Sequence, residues 1–140
     1  MNKEFVVIIA HKSEDAFIFE TKAENEQQCI EKALYKYGSE YMYDELSNRK
    51  EFVHNAVQHL EDGDDCTPLQ EAFECNNECC QEKIIYFDKE KNKLVCRDIH
   101  KDIQVFLDGI WEEAQPVVKQ KKNQARRKEY EDLKKEFEPA

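Results

Sequence analysis

The chain has 140 residues, a formal net charge of −10, 40% hydrophobic and 37% charged residues, and only three Gly and three Pro. That length suits one domain, burying roughly two-thirds of its extended-chain surface, and so little Gly and Pro argues against disorder and against a turn-dense all-β fold. So negative a balance repels nucleic acid from most of the surface, and the apolar run at residues 5–10 is too short for a signal peptide or a membrane span.

An intracellular, cytoplasmic setting is therefore expected. There a reducing pool keeps the six Cys as buried apolar side chains or metal ligands instead of a disulfide framework.

In chain order, Phe5-Val6-Val7-Ile8-Ile9-Ala10 and Ala16-Phe17-Ile18-Phe19-Glu20-Thr21-Lys22-Ala23 read as two strands of a hairpin around a polar turn. Asn25 then caps a helix, with Gln28 completing an Asx capping box. Cys29, Ile30, Ala33, Leu34 and Tyr37 share one face, and Gly38 is expected to end the helix.

This β-β-α unit, notably Glu20-Thr21-Lys22-Ala23-Glu24-Asn25-Glu26 running into Ile30-Glu31-Lys32-Ala33-Leu34, resembles the core of small DpnD/PcfM-like proteins of phages and plasmids. The resemblance covers residues 3–38. It implies a mobile-element origin and brings no catalytic residues.

Residues 39–46 are expected to make one or two helical turns. Asn48 and Glu51 cap a further helix whose stripe is Phe52, Val53, Ala56, Val57 and Leu60, and Gly63 ends it. Thr67, Pro68 and Gln70 open another, as N-cap, first helical position and third.

The runs Ile84-Ile85-Tyr86-Phe87 and Lys93-Leu94-Val95-Cys96 flank a polar turn, a second hairpin. After Asp98, a cap candidate, Ile99, Ile103, Phe106, Leu107, Ile110, Trp111 and Ala114 recur at helical spacing, and Pro116 is expected to end or kink that helix. Residues 117–140 are nearly all charged, with Tyr130, Leu133 and Phe137 as a stripe for the core, a partner or a second copy.

The expected fold is thus α+β: a small antiparallel sheet of about four strands in two hairpins, with four to five helices on one face. Residues 1–116 form an acidic domain of net −13, and 117–140 a charged C-terminal helix of net +3.

The segment from Glu51 to Glu82 contains no Lys or Arg, nine carboxylates and four Cys. Cys75, Cys79 and Cys80 with Cys66 and Cys96 could in principle make a thiolate zinc site from Cys66, Cys75, Cys79 and Cys96, but the usual paired Cys-x2-Cys spacing is missing, so no cofactor is expected.

His54 and His59 lie about 140° apart around a helix and do not share a metal. His11 and His100 have no partner that the sequence identifies. The loop Glu61-Asp62-Gly63-Asp64-Asp65 departs from the EF-hand pattern, since Cys66 and Pro68 interrupt it and the Gly comes too early. No Gly-x-Ser-x-Gly elbow or Gly-rich phosphate loop is present, and no enzyme is expected.

What remains is charge. The first expectation is an acidic protein-binding inhibitor of a host nucleic-acid-binding defence complex, similar by analogy of size and charge to anti-CRISPR proteins. It would be a DNA mimic whose carboxylates enter the basic groove of a protein or ribonucleoprotein. The contacts would be Glu61, Asp62, Asp64, Asp65, Glu71, Glu74 and Glu78, with no membrane and no small-molecule substrate. The alternative is a nucleic-acid-associated regulator that contacts phosphates through Lys119, Lys121, Lys122, Arg126, Arg127 and Lys128.

Overall fold

In the computed structural model, the described residues are 3–10, 16–73 and 81–138. Two strands, β1 (Lys3–Ala10) and β2 (Phe17–Ala23), pair antiparallel with Val7 opposite Phe19. The later strands β3 (Gln81–Asp88) and β4 (Lys93–Asp98) form the second hairpin, and β1 also pairs antiparallel with β3, giving the order β2-β1-β3-β4. The expected four strands and two hairpins are present.

Alternation along the strands decides the layering. Phe5, Val7 and Ile9 of β1 and Ile84 of β3 are buried, whereas Ile18, Phe87 and Leu94 on alternate positions are exposed. A period of two sends these sets to opposite faces of the sheet, so the helices cover one face only.

The first helix, α1 (Glu26–Met42), begins as expected: Gln28 N–H donates to Asn25 Oδ1 at 2.8 Å and Glu24 N–H to Gln28 Oε1 at 2.8 Å. It does not end at Gly38. That glycine is buried mid-helix where a Cβ would stand 2.8 Å from Phe52 Cζ, so it permits close approach to the next helix. The chain instead turns at Tyr43, which takes the left-handed conformation at φ 53°, and the expected turns of residues 39–46 are in part the end of α1.

Helix α2 (Arg49–Glu61) starts on Asn48, whose side chain accepts from Glu51 N–H at 3.0 Å. It ends before Gly63, at φ 87°. In α3 (Pro68–Phe73) the capping box is reciprocal and buried: Gln70 N–H donates to Thr67 Oγ1 at 3.2 Å and Thr67 N–H to Gln70 Oε1 at 2.8 Å.

The last helix, α4 (His100–Phe137), runs 38 residues through Pro116, so the proline does not end it as expected. Proline there removes one helical hydrogen bond, but Ala114 and Val118, on the turns either side, are both buried against the body and hold the helix. Asp98 serves near its start, accepting from His100 N–H at 2.8 Å.

The core lies between sheet and helices. Tyr35, Phe52 and Phe106 form an aromatic junction of α1, α2 and α4, with ring centroids 5.4 to 6.0 Å apart. Arg97 of β4 ties the ends of two helices to the sheet: its Nη2 lies 2.9 Å from Glu26 Oε2 and 2.7 Å from Asp102 Oδ2. The Asp102 hydrogen bond, more than the Glu26 one, raises the guanidinium pKa further, against partial desolvation.

Candidate functional site

The acidic residues cluster where α2 hands over to α3. Because α2 stops at Glu61 and Gly63 reverses the chain, Asp64, Asp65, Cys66, Pro68 and Glu71 line one open cleft of about 620 Å³. Asp62 is the C-cap of α2 and follows Glu61, the last residue of that helix. All five described carboxylates, Glu61, Asp62, Asp64, Asp65 and Glu71, are exposed. Glu74 and Glu78 lie outside the described residues.

Two basic side chains attend this end of the molecule. His59 Nδ1 is 2.8 Å from Asp64 Oδ2, one turn of chain beyond the end of α2. Lys121 Nζ of α4 reaches Glu61 Oε1 at 3.3 Å. The start of the basic stretch therefore sits beside the acidic loop, a juxtaposition across sixty residues that no local pattern encodes.

Beyond that contact the long helix is alone. Every side chain of residues 119–138 is exposed, including Lys119, Lys121, Lys122, Arg126, Arg127 and Lys128. These 19 helical residues from 119 to 137 extend about 28 Å at 1.5 Å per residue. Tyr130, Leu133 and Phe137 are 67%, 47% and 81% exposed. By the helical period this stripe is centred roughly 140° from the line of Ile103, Leu107, Ile110, Ala114 and Val118 that faces the core.

The cysteines are dispersed. Cys66 borders the acidic cleft within the helical layer, while Cys96 is exposed on the opposite face of the sheet, so those two do not share a site. Cys75, Cys79 and Cys80 lie outside the described residues, as does His11. Among the described residues no three His, Cys, Asp or Glu side chains converge to hold a metal ion. Cys29 is fully buried, and burial pushes its thiol from 9.0 up to about 11, so it is a neutral apolar side chain.

One polar constellation escaped the sequence reading. Glu82, on the inner face of β3 and 2% exposed, lies 3.1 Å from Nδ1 of His100 at the start of α4. Nearby, Gln104 Nε2 donates to the Phe73 carbonyl and Gln70 Nε2 to the Leu107 carbonyl. The only signal was an acid at a core position of the strand, Glu82 two residues before Ile84. These bonds lock α3, α4 and β3 together, and Gln70, Phe73, Gln104 and Leu107 line a cavity of about 180 Å³ with Asp108. His54, in contrast, is exposed on α2 beside Gln58.

No protein-family model matches the chain, and no curated protein or solved structure is significantly similar to it. Among the described residues no helix is long and apolar enough to cross a membrane. Fold and site together define an acidic α+β protein with a protruding helix.

Proposed function

We propose that this protein is a non-enzymatic, protein-binding inhibitor of a phage or other mobile element, which places its acidic end in the basic groove of a host nucleic-acid-binding defence complex. The observation that carries this reading is the run of exposed carboxylates Glu61, Asp62, Asp64, Asp65 and Glu71, of which Asp64, Asp65 and Glu71 line one cleft, on a body of net −13.

Carboxylates grouped in this way offer a basic groove the charge of a phosphate backbone, and long-range attraction speeds their encounter with it. The exposed side chains Tyr130, Leu133 and Phe137 lie farther along the neighbouring helix and on another side of it, a separate apolar surface. The mobile-element context rests on the resemblance of residues 3–38, and the site of action that follows is the host cytoplasm.

A second reading is favoured by a specific observation. Lys119, Lys122 and Arg126 fall within about 60° of one another on a fully exposed helix, an arrangement suited to phosphates. Against it stands the neighbouring acidic loop, held beside the helix by the Lys121 to Glu61 pair.

The test is affinity capture by the tagged protein from a bacterial lysate at low and high salt, with bound species identified by mass spectrometry. The expected result is a basic nucleic-acid-binding complex that is lost at high salt and lost when Glu61, Asp62, Asp64 and Asp65 are replaced by Lys. Recovery of nucleic acid, abolished by removing residues 119–140, would instead establish the second reading.

A further inference from the structure

The outward face of the sheet carries a continuous apolar band. Register places Ile18 beside Ile8, Val6 beside Ile85, Ile85 beside Cys96, and Phe87 beside Leu94, all on the face away from the helices. Ile18 is 61%, Phe87 48% and Leu94 68% exposed. A band that crosses all four strands exceeds the scattered single apolar side chains normal on a surface, and bands of this kind mark contact sites.

We infer that this face is a homodimer interface, in which two copies stack their sheets face to face. Charge selects the occupant. The charged side chains on this face are Glu4, Glu20 and Asp98 against Lys22 and Lys83, a near balance, whereas residues 1–116 as a whole carry net −13. Two copies repel one another across the rest of the body and meet without that penalty here. A basic partner, in turn, is drawn to the acidic cleft and gains nothing from so neutral a face.

Shape and size agree. Helix α4 packs on the inner face, so the outer face is out of reach of the chain's own helix. Sheets stack about 10 Å apart with strands nearly aligned, which buries two such bands at once. Four strands about 4.8 Å apart, each about 20 Å long, give a footprint of roughly 400 Å². That is about half the ~800 Å² per partner of a standard interface, which fits a weak, concentration-dependent dimer.

The experiment is sedimentation velocity on the full chain from about 1 to 100 µM, with the variants Ile18→Lys and Leu94→Lys. Both positions are already exposed, so the lysines leave the monomer fold intact, which circular dichroism checks. The expected result is a species of twice the 16.7 kDa chain mass in the unsubstituted protein, with the dissociation constant raised at least tenfold in each variant. A protein that stays monomeric at 100 µM overturns the inference. So does a dimer that survives both substitutions, or one lost only when residues 119–140 are removed, which would move the contact to the Tyr130, Leu133 and Phe137 stripe.

Discussion

Glu82 is a carboxylate in a position that its strand otherwise fills with apolar side chains, and His100 is what it has been given to face. Taking away His100 removes one polar contact from a carboxylate that is 2% exposed, and a buried acceptor that loses a partner is costly. His100→Leu is therefore expected to lower stability by about 2 kcal/mol in urea titration at neutral pH. Replacing both residues by Leu should cost less than replacing His100 alone. Cys29 makes a different prediction. Its folded pKa of about 11 stands above the unfolded 9.0, so the stability that its neutral thiol contributes is complete below pH 9 and is lost as pH rises toward 11. A Cys29→Ala variant should show a shallower fall of the unfolding midpoint across that window. In the same experiment, a thiol reagent at pH 8 should modify exposed Cys96 and leave Cys29 untouched until the protein unfolds.

Among the elements, those read correctly from the sequence announce themselves locally. Asn48 with Glu51 and Thr67 with Gln70 are signals between residues three apart, and the structure uses both. Gly38 and Pro116 misled because each has a tertiary explanation. The glycine ends nothing and clears space for Phe52, and the proline is tolerated because buried side chains flank it on consecutive turns. The acidic cleft was half legible: its residues adjoin in sequence, but Lys121 beside Glu61 is a pairing of distant segments, as is His100 beside Glu82 elsewhere in the fold. The terminal part of α4 contributes a further prediction. Its side chains touch almost nothing, so deleting residues 120–140 should remove the helical signal of those residues while shifting the thermal midpoint by no more than about 3 °C. A larger loss would mean that the arm holds up the body.

For the whole molecule, charge is the least balanced quantity. A net of −10 on a compact chain repels itself, and that repulsion is screened over about 10 Å at 0.1 M salt. Raising sodium chloride from about 10 mM to 0.5 M is expected to raise the thermal midpoint by a few degrees, the reverse of what surface ion pairs such as Lys121 to Glu61 would give if they dominated. The same scan separates the two contact surfaces, since a charge-driven partner is released by salt and an apolar sheet-to-sheet contact is kept.

The strand order also sets a timetable. Phe5 pairs with Tyr86, so the sheet's central seam joins segments about eighty residues apart. At about 5 to 20 residues per second of synthesis, β1 waits on the order of ten seconds for β3 to leave the ribosome. During that wait Val7 and Ile9 have a hairpin partner but only part of their core, and the seam edge of β1 offers unpaired backbone to any passing strand. Closing so long a loop is expected to slow refolding. A newborn chain is thus most exposed to chaperones and to misassembly before its second hairpin exists.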